Sequence, residues 1–109
     1  MERNKDFVYL ERFVWDTEKA AINKGKHGLS FELAARIFND PYMTKQYDDL
    51  NSTQEEDRWK CTGRDYQTGK YRTLTVSMTE RGELIRIFSA RLANRQEIKE
   101  YEENAAAYL

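Results

Sequence analysis

The single histidine, His27, lies in Gly25-Lys26-His27-Gly28, and from Lys19 to Gly28 the ionisable residues are Lys19, Lys24, Lys26 and His27, with no acid among them. A second basic stretch carries Arg81, Arg86, Arg91 and Arg95 against Glu83 alone. Acids collect elsewhere, in Asp48, Asp49, Glu55, Glu56 and Asp57 and again in Glu97, Glu100, Glu102 and Glu103. One histidine and one cysteine cannot build a zinc site, and the acids have no metal-ligand spacing, so no metal and no cofactor are expected. No glycine-rich phosphate loop is present, and no motif pairs a serine with a base.

Such a set suits a reaction in which the substrate brings its own nucleophile. RNA does so: its 2′-hydroxyl can attack the neighbouring phosphorus. The protein must then accept one proton, donate one to the leaving oxygen, and stabilise the extra negative charge at phosphorus. Imidazole titrates near neutrality and suits proton transfer. A guanidinium fork gives a phosphate two parallel, charge-assisted hydrogen bonds. A helix beginning at Ser30 would add free backbone amides beside Lys26 and His27 as an anion site. The competing readings are a histidine that caps a helix or makes a buried hydrogen bond, and charge runs that are solvated faces; the terminal glutamates fit the latter.

These side chains need elements to position them. Residues 1–10 read as an arm, with Phe7 and Tyr9 able to extend the first strand, and residues 11–109 as one domain. Phe13-Val14-Trp15 alternates as a strand and stops at Asp16, whose carboxylate can cap a helix from Thr17; Glu18 favours that helix's positive end and Gly25 is placed to end it. Ser30 caps a second helix with an apolar stripe of Phe31, Ala34, Ala35 and Phe38, closed by Asp40-Pro41. Residues 42–57 are polar and acidic without a period, a loop or an irregular edge strand.

Three strands follow. Arg58–Thr62 puts Trp59 and Cys61 on one face and Arg58, Lys60 and Thr62 on the other. A loop containing Gly69 leads to Tyr71–Met78, and the turn Thr79-Glu80-Arg81-Gly82 to Leu84–Ala90, an antiparallel meander. Asn94 and Glu97 form a capping box for a last helix with Ile98, Tyr101, Ala105 and Tyr108 on one side. The class is α+β, order β-α-α-β-β-β-α, with an antiparallel sheet and helices gathered mainly on one side. Trp15, Phe31, Phe38 and Trp59 read as core.

The chain has 109 residues and a net charge of −1, enough for one modest core and against a DNA-coating protein. The polar start is followed by no apolar signal core, no run of apolar residues approaches a membrane span, and one unpaired cysteine fits a reducing cytoplasm.

Trp15-Asp16, Lys19, Asn23, Lys26-His27-Gly28, Ser30-Phe31, Ala34, Phe38 and Asp40-Pro41 form an opening signature, followed by Glu56, Arg58-Trp59 and Gly63-Arg64. Arg86-Ile87-Phe88-Ser89-Ala90-Arg91, Ala93, Glu97 and Tyr101 close it. In order and spacing, from about Phe13 to Tyr101, the chain resembles BrnT-type toxins. It departs from them where Leu92 replaces a basic or small residue, where Phe88 replaces a usual isoleucine, and in its longer arm. The resemblance implies a RelE-like fold and a metal-independent endoribonuclease that arrests growth by degrading RNA. It also implies a BrnA-type ribbon-helix-helix antitoxin, a heterotetrameric complex, and autorepression in which operator DNA is met only through that complex.

With the resemblance, roles can be assigned. His27 is the acid or base and Lys26 binds phosphate. Glu56 orients Arg58 or acts as a base. Arg58, Arg86 and Arg91 complete the catalytic set, with Lys24, Lys60, Arg64 and Arg95 on the RNA backbone. Tyr101 could reach the site, although its place in the apolar stripe favours packing. Arg58 and Arg64 share strand parity. Arg86 and Arg91, five apart, face opposite sides of an ideal strand, and both reach one cleft only if the strand ends near Ala90. The alternative function is an inactive module that binds an antitoxin-like regulator; the intact set of His27, Lys26, Arg58, Arg86 and Arg91 favours the enzyme.

Overall fold

Alternation sends Phe13 and Trp15, Leu74, Val76 and Met78, and Ile85 and Ile87 to a shared apolar face, where Leu29, Phe31, Ala34 and Ile37 close over them. The computed structural model of the protein describes residues 6–66 and 72–108. Its elements are β1 (Phe7–Leu10), β2 (Phe13–Asp16), α1 (Thr17–His27), α2 (Phe31–Ala35), a 3-10 turn (Arg36–Asn39), β3 (Thr44–Tyr47), β4 (Arg58–Arg64), β5 (Thr73–Arg81), β6 (Leu84–Leu92) and α3 (Arg95–Ala106). The strands form one six-stranded sheet in the order β1-β2-β6-β5-β4-β3.

The mixed α+β class and the three helices match the sequence reading, and the details correct it. The sheet is not wholly antiparallel, because β2 runs parallel to β6. A parallel neighbour requires a long crossover, which everything from α1 to β5 supplies. Residues 7–10 of the expected arm pair with β2 as β1, and of the two readings for the stretch after Pro41 the edge strand holds for Thr44–Tyr47, which is β3 at the opposite edge. The loop with Gly69, and Tyr71 as the start of its strand, lie outside the described residues. Arg81 pairs with Leu84, so the hairpin turn shrinks to Gly82 and Glu83, with Gly82 at φ 60°.

Helix ends follow local chemistry. Asp16 Oδ1 accepts from the Glu18 and Lys19 amides, at 2.8 and 3.3 Å. The helix does not stop at Gly25; it runs to His27, where Gly28 takes the left-handed conformation (φ 70°) and its N–H reaches the Lys24 carbonyl. The second helix tightens into the 3-10 turn, whose three-residue spacing after Ala34 buries Ile37 completely and leaves Phe38 half-buried against Phe13. That turn lies so close to β4 that a Cβ at Gly63 would stand 3.1 Å from Ile37 Cβ.

The helices occupy both sides. Whereas α1 and α2 serve the apolar face, α3 crosses the other one. There Gln46 Nε2 donates to Glu100 (2.8 Å), Arg91 pairs with Glu97, and buried Tyr101 donates to Asp40 Oδ2 at 2.6 Å. The capping box of Asn94 and Glu97 starts α3 as expected. Tyr108 lies past its end, exposed and packed on Tyr42.

Beyond Arg86, β6 is no longer paired by β2, and α1 takes over that edge. Asn23 Oδ1 accepts from the Ala90 N–H (3.0 Å), while its Nδ2 donates to the Ala90 carbonyl (3.0 Å) and the Leu29 carbonyl (3.1 Å). One side chain therefore imitates a neighbouring strand and ties the helix to the sheet. Asn23→Ala is expected to lower folding stability by roughly 2 kcal/mol in urea denaturation, because buried backbone groups lose their partner. A change below about 0.5 kcal/mol would show that α1 is held by other means.

Candidate functional site

On the sheet face opposite the apolar core, register sets side chains in rows. Arg58, Thr79 and Arg86 form one, Lys60, Ser77 and Ser89 the next, and Thr62, Thr75 and Arg91 the third. With strands ~4.8 Å apart, each row spans ~10 Å. The central strand lays down short hydroxyl side chains, and cations rise from the strands on either side. The hydroxyls are tied in place: Thr62 and Thr75 bond at 2.8 Å, and Thr79 donates to the Asp57 carbonyl at 2.6 Å.

Arg86 and Arg91 share this face although they are five residues apart, and not because the strand stops near Ala90. It continues to Leu92. Ser77 pairs with Ser89 while Met78 pairs with Ile87, so Phe88 is an extra residue in β6. This bulge resets the alternation between the two arginines.

Each arginine is held differently. Arg58 Nε donates to Glu56 Oε1 at 3.1 Å, and the same carboxylate accepts from Arg81 Nη2 at 2.8 Å. The Arg81 hydrogen bond, against a burial penalty and with help from that of Arg58, holds the Glu56 carboxyl below its usual range. Glu56 is accordingly a clamp for arginines and a poor base. Arg91 makes a two-pronged pair with Glu97, at 2.7 and 3.0 Å. Burial pushes the Glu97 carboxyl up, but hydrogen bonds from Arg91, the Asn94 amide and Thr75 outweigh it and leave the group lowered. Arg86 has no carboxylate partner among the described residues, and its Nε is buried without a hydrogen-bond partner. Its guanidinium carbon lies 5.2 Å from the Phe7 ring centroid and 5.4 Å from that of Phe88.

Phe88 also joins the second half of the site. Lys19, Ile22, Asn23, Lys26 and His27 of α1, with Phe88 and Ser89, line a cavity of about 200 Å³. Lys26 and His27 are exposed in the last helical turn, not in a loop, where the negative end of the helix favours cations. At the start of α2, Ser30 Oγ caps the Leu33 amide at 3.1 Å, so that amide is not open to an anion.

Thus Arg58, Lys60, Arg86 and Arg91 stand on one sheet face, and the cavity lined by Lys26 and His27 adjoins that face at Phe88 and Ser89, a basic bay between helix and sheet. Four expected residues stand outside it. Lys24 is exposed on α1 and does not line the cavity. The Arg64 guanidinium lies over the Tyr101 ring (4.9 Å), and its Nε donates to Thr73 at 2.9 Å. Arg95 lines a groove on the outer side of α3 with Ile98 and Lys99. Tyr101 is fully buried, and burial followed by its bond to Asp40 drives its hydroxyl's pKa upward, which fits packing rather than proton transfer. The buried Cys61 thiol is pushed up to about 12 by burial and is no nucleophile. Among the described residues no three histidine, cysteine or acidic side chains come together as a metal site.

Lys19, Phe88 and Ser89, and Glu97 as partner of Arg91, were not singled out as site residues by sequence. Lys19, Asn23 and Lys26 do recur at four and seven, one helix face, a signal available once α1 extends past Gly25.

A family model for the ribonuclease toxin, BrnT, of type II toxin-antitoxin systems matches residues 15–97. No curated protein matches the chain.

The lowered Glu97 carboxyl stabilises the fold fully above its ordinary value of 4.5, and this contribution is lost as the pH falls through the lower folded value. Glu97→Gln should cost about 1 kcal/mol in urea at pH 7 and almost nothing well below the ordinary carboxylate range. An equal cost at both pH values would show that the pair does not hold α3 to β6.

Proposed function

The chain belongs to the BrnT family of ribonuclease toxins of type II toxin-antitoxin systems, and on that premise we propose that it is an endoribonuclease which cuts RNA through the substrate's own 2′-hydroxyl, without a metal ion. The observation that supports this most is the joining of two basic groups around Phe88, one from α1 and one from the sheet. In this reading the phosphate lies over the hydroxyl floor, where Arg86, free of any carboxylate among the described residues, and Arg58, aimed by Glu56, meet its non-bridging oxygens. As the 2′-oxygen bonds to phosphorus and the bond to the 5′-oxygen breaks, negative charge grows on those oxygens, and fixed guanidinium donors stabilise that state above the ground state.

His27 transfers the proton, either from the attacking hydroxyl or to the leaving oxygen, with Lys26 beside it on the phosphate. The products are a 2′,3′-cyclic phosphate and a 5′-hydroxyl, so no external nucleophile is consumed. Lys60 continues the basic track along the RNA, and Arg91 enters through its pair with Glu97. The same reading includes a RelE-like fold, cytoplasmic action on RNA, and neutralisation by a BrnA-like ribbon-helix-helix antitoxin in a heterotetramer that represses its own promoter.

Purified protein should cleave RNA in excess EDTA, leave 5′-hydroxyl ends, and spare a 2′-O-methyl copy of the same RNA. Arg86→Ala and His27→Ala should each lower kcat about 100-fold with folding intact. Cleavage abolished by EDTA and restored by magnesium, or cleavage of the 2′-O-methyl strand, would refute the mechanism. Folded protein that binds an antitoxin and cuts nothing would point to the interaction module.

A further inference from the structure

We propose that Phe88 is the positioning residue of this site: its ring holds Arg58 and Arg86 on the sheet side and Lys19 on the helix side at fixed spacing. The proposal rests on the ribonuclease reading above. Its ring centroid lies 4.0 Å from the Arg58 guanidinium carbon, 5.4 Å from that of Arg86 and 5.3 Å from Lys19 Nζ. Three like charges around one half-buried side chain repel one another, and Glu56, the nearby acid, is already shared between Arg58 and Arg81. The negative face of an aromatic ring offsets part of that repulsion.

Glu56 already holds Arg58 by its Nε, and a further carboxylate among these cations would act at a cost to function. It would occupy the N–H donors that a phosphate needs. A ring attracts a guanidinium through its flat face and leaves the in-plane donors pointing outward. Arg86 fits this pattern: the Phe7 and Phe88 rings lie on it, and no carboxylate among the described residues takes its donors. The bulge makes the arrangement available, because as the extra residue in β6 Phe88 stands outside the regular alternation and reaches both the arginine row and the α1 cavity.

The test compares Phe88→Leu and Phe88→Met, which keep an apolar side chain of similar size, with Phe88→Tyr, which keeps the ring. Each is followed by kcat/KM on one RNA oligonucleotide and by urea denaturation. Leu and Met should cost about tenfold in kcat/KM with a urea midpoint near wild type, and Tyr should recover most of the loss. The double variant Phe88→Leu/Arg86→Ala should lose less than the product of the two single losses, since part of the ring's effect passes through Arg86 and the rest through Arg58 and Lys19. Leu and Met within twofold of wild type, Tyr as damaging as Leu, or losses that simply multiply in the double variant would each overturn the assignment. Wild type that cuts no RNA would overturn the ribonuclease reading as well, whereas active wild type with impaired Arg86→Ala and unimpaired Phe88→Leu would overturn the role of Phe88 alone.

Discussion

The basic bay depends on one extra residue in β6. A regular strand would send Arg86 and Arg91 to opposite sides, one of them into the apolar face among Val76, Met78 and Ile87. Burying an unpaired guanidinium there would cost several kcal/mol, so the alternation has to be reset between them. The shift between the Ser77–Ser89 and Met78–Ile87 pairs does this without breaking the antiparallel pairing on either side. It keeps Ile85, Ile87 and Ala90 buried while turning both arginines toward the hydroxyl row of β5.

The same irregularity governs the surroundings. Because β2 pairs β6 only at Ile85 and Arg86, the remaining edge needs another cover, and α1 supplies it through Asn23. This docking brings Lys19, Lys26 and His27 beside Phe88. On the far side, Glu97 closes the capping box of α3 and also holds Arg91, so the start of that helix and one wall of the bay share a single carboxylate. Fold stability and the placement of cations are therefore the same set of contacts seen from two sides.

Elements with local signals were legible in the sequence. Asp16 and Asn94 with Glu97 announce helix starts through their own hydrogen bonds, and the alternation of Arg58, Lys60 and Thr62 against Trp59 and Cys61 survives in the sheet. Long-range choices were not legible. Gly25 and Gly28 are both able to end a helix, and it is Gly28 that takes the left-handed conformation and closes on the Lys24 carbonyl. The parallel β2–β6 pair and the crossing of α3 over the other face join residues far apart in sequence. Nor does spacing show a bulge: Arg86 and Arg91 point apart on any ideal strand. Arg64, Arg95 and Tyr101 look like members of a basic or reactive set by type, yet a ring, an outward groove and a buried aspartate claim them.

In the proposed function, α1 and the sheet present a single RNA surface. Side-chain NMR during titration with a non-cleavable 2′-O-methyl RNA measures this directly. His27, Arg58 and Arg86 should shift together with one dissociation constant, while Arg95 stays still. Arginine signals that move while the His27 imidazole does not, or two unrelated constants, would contradict it.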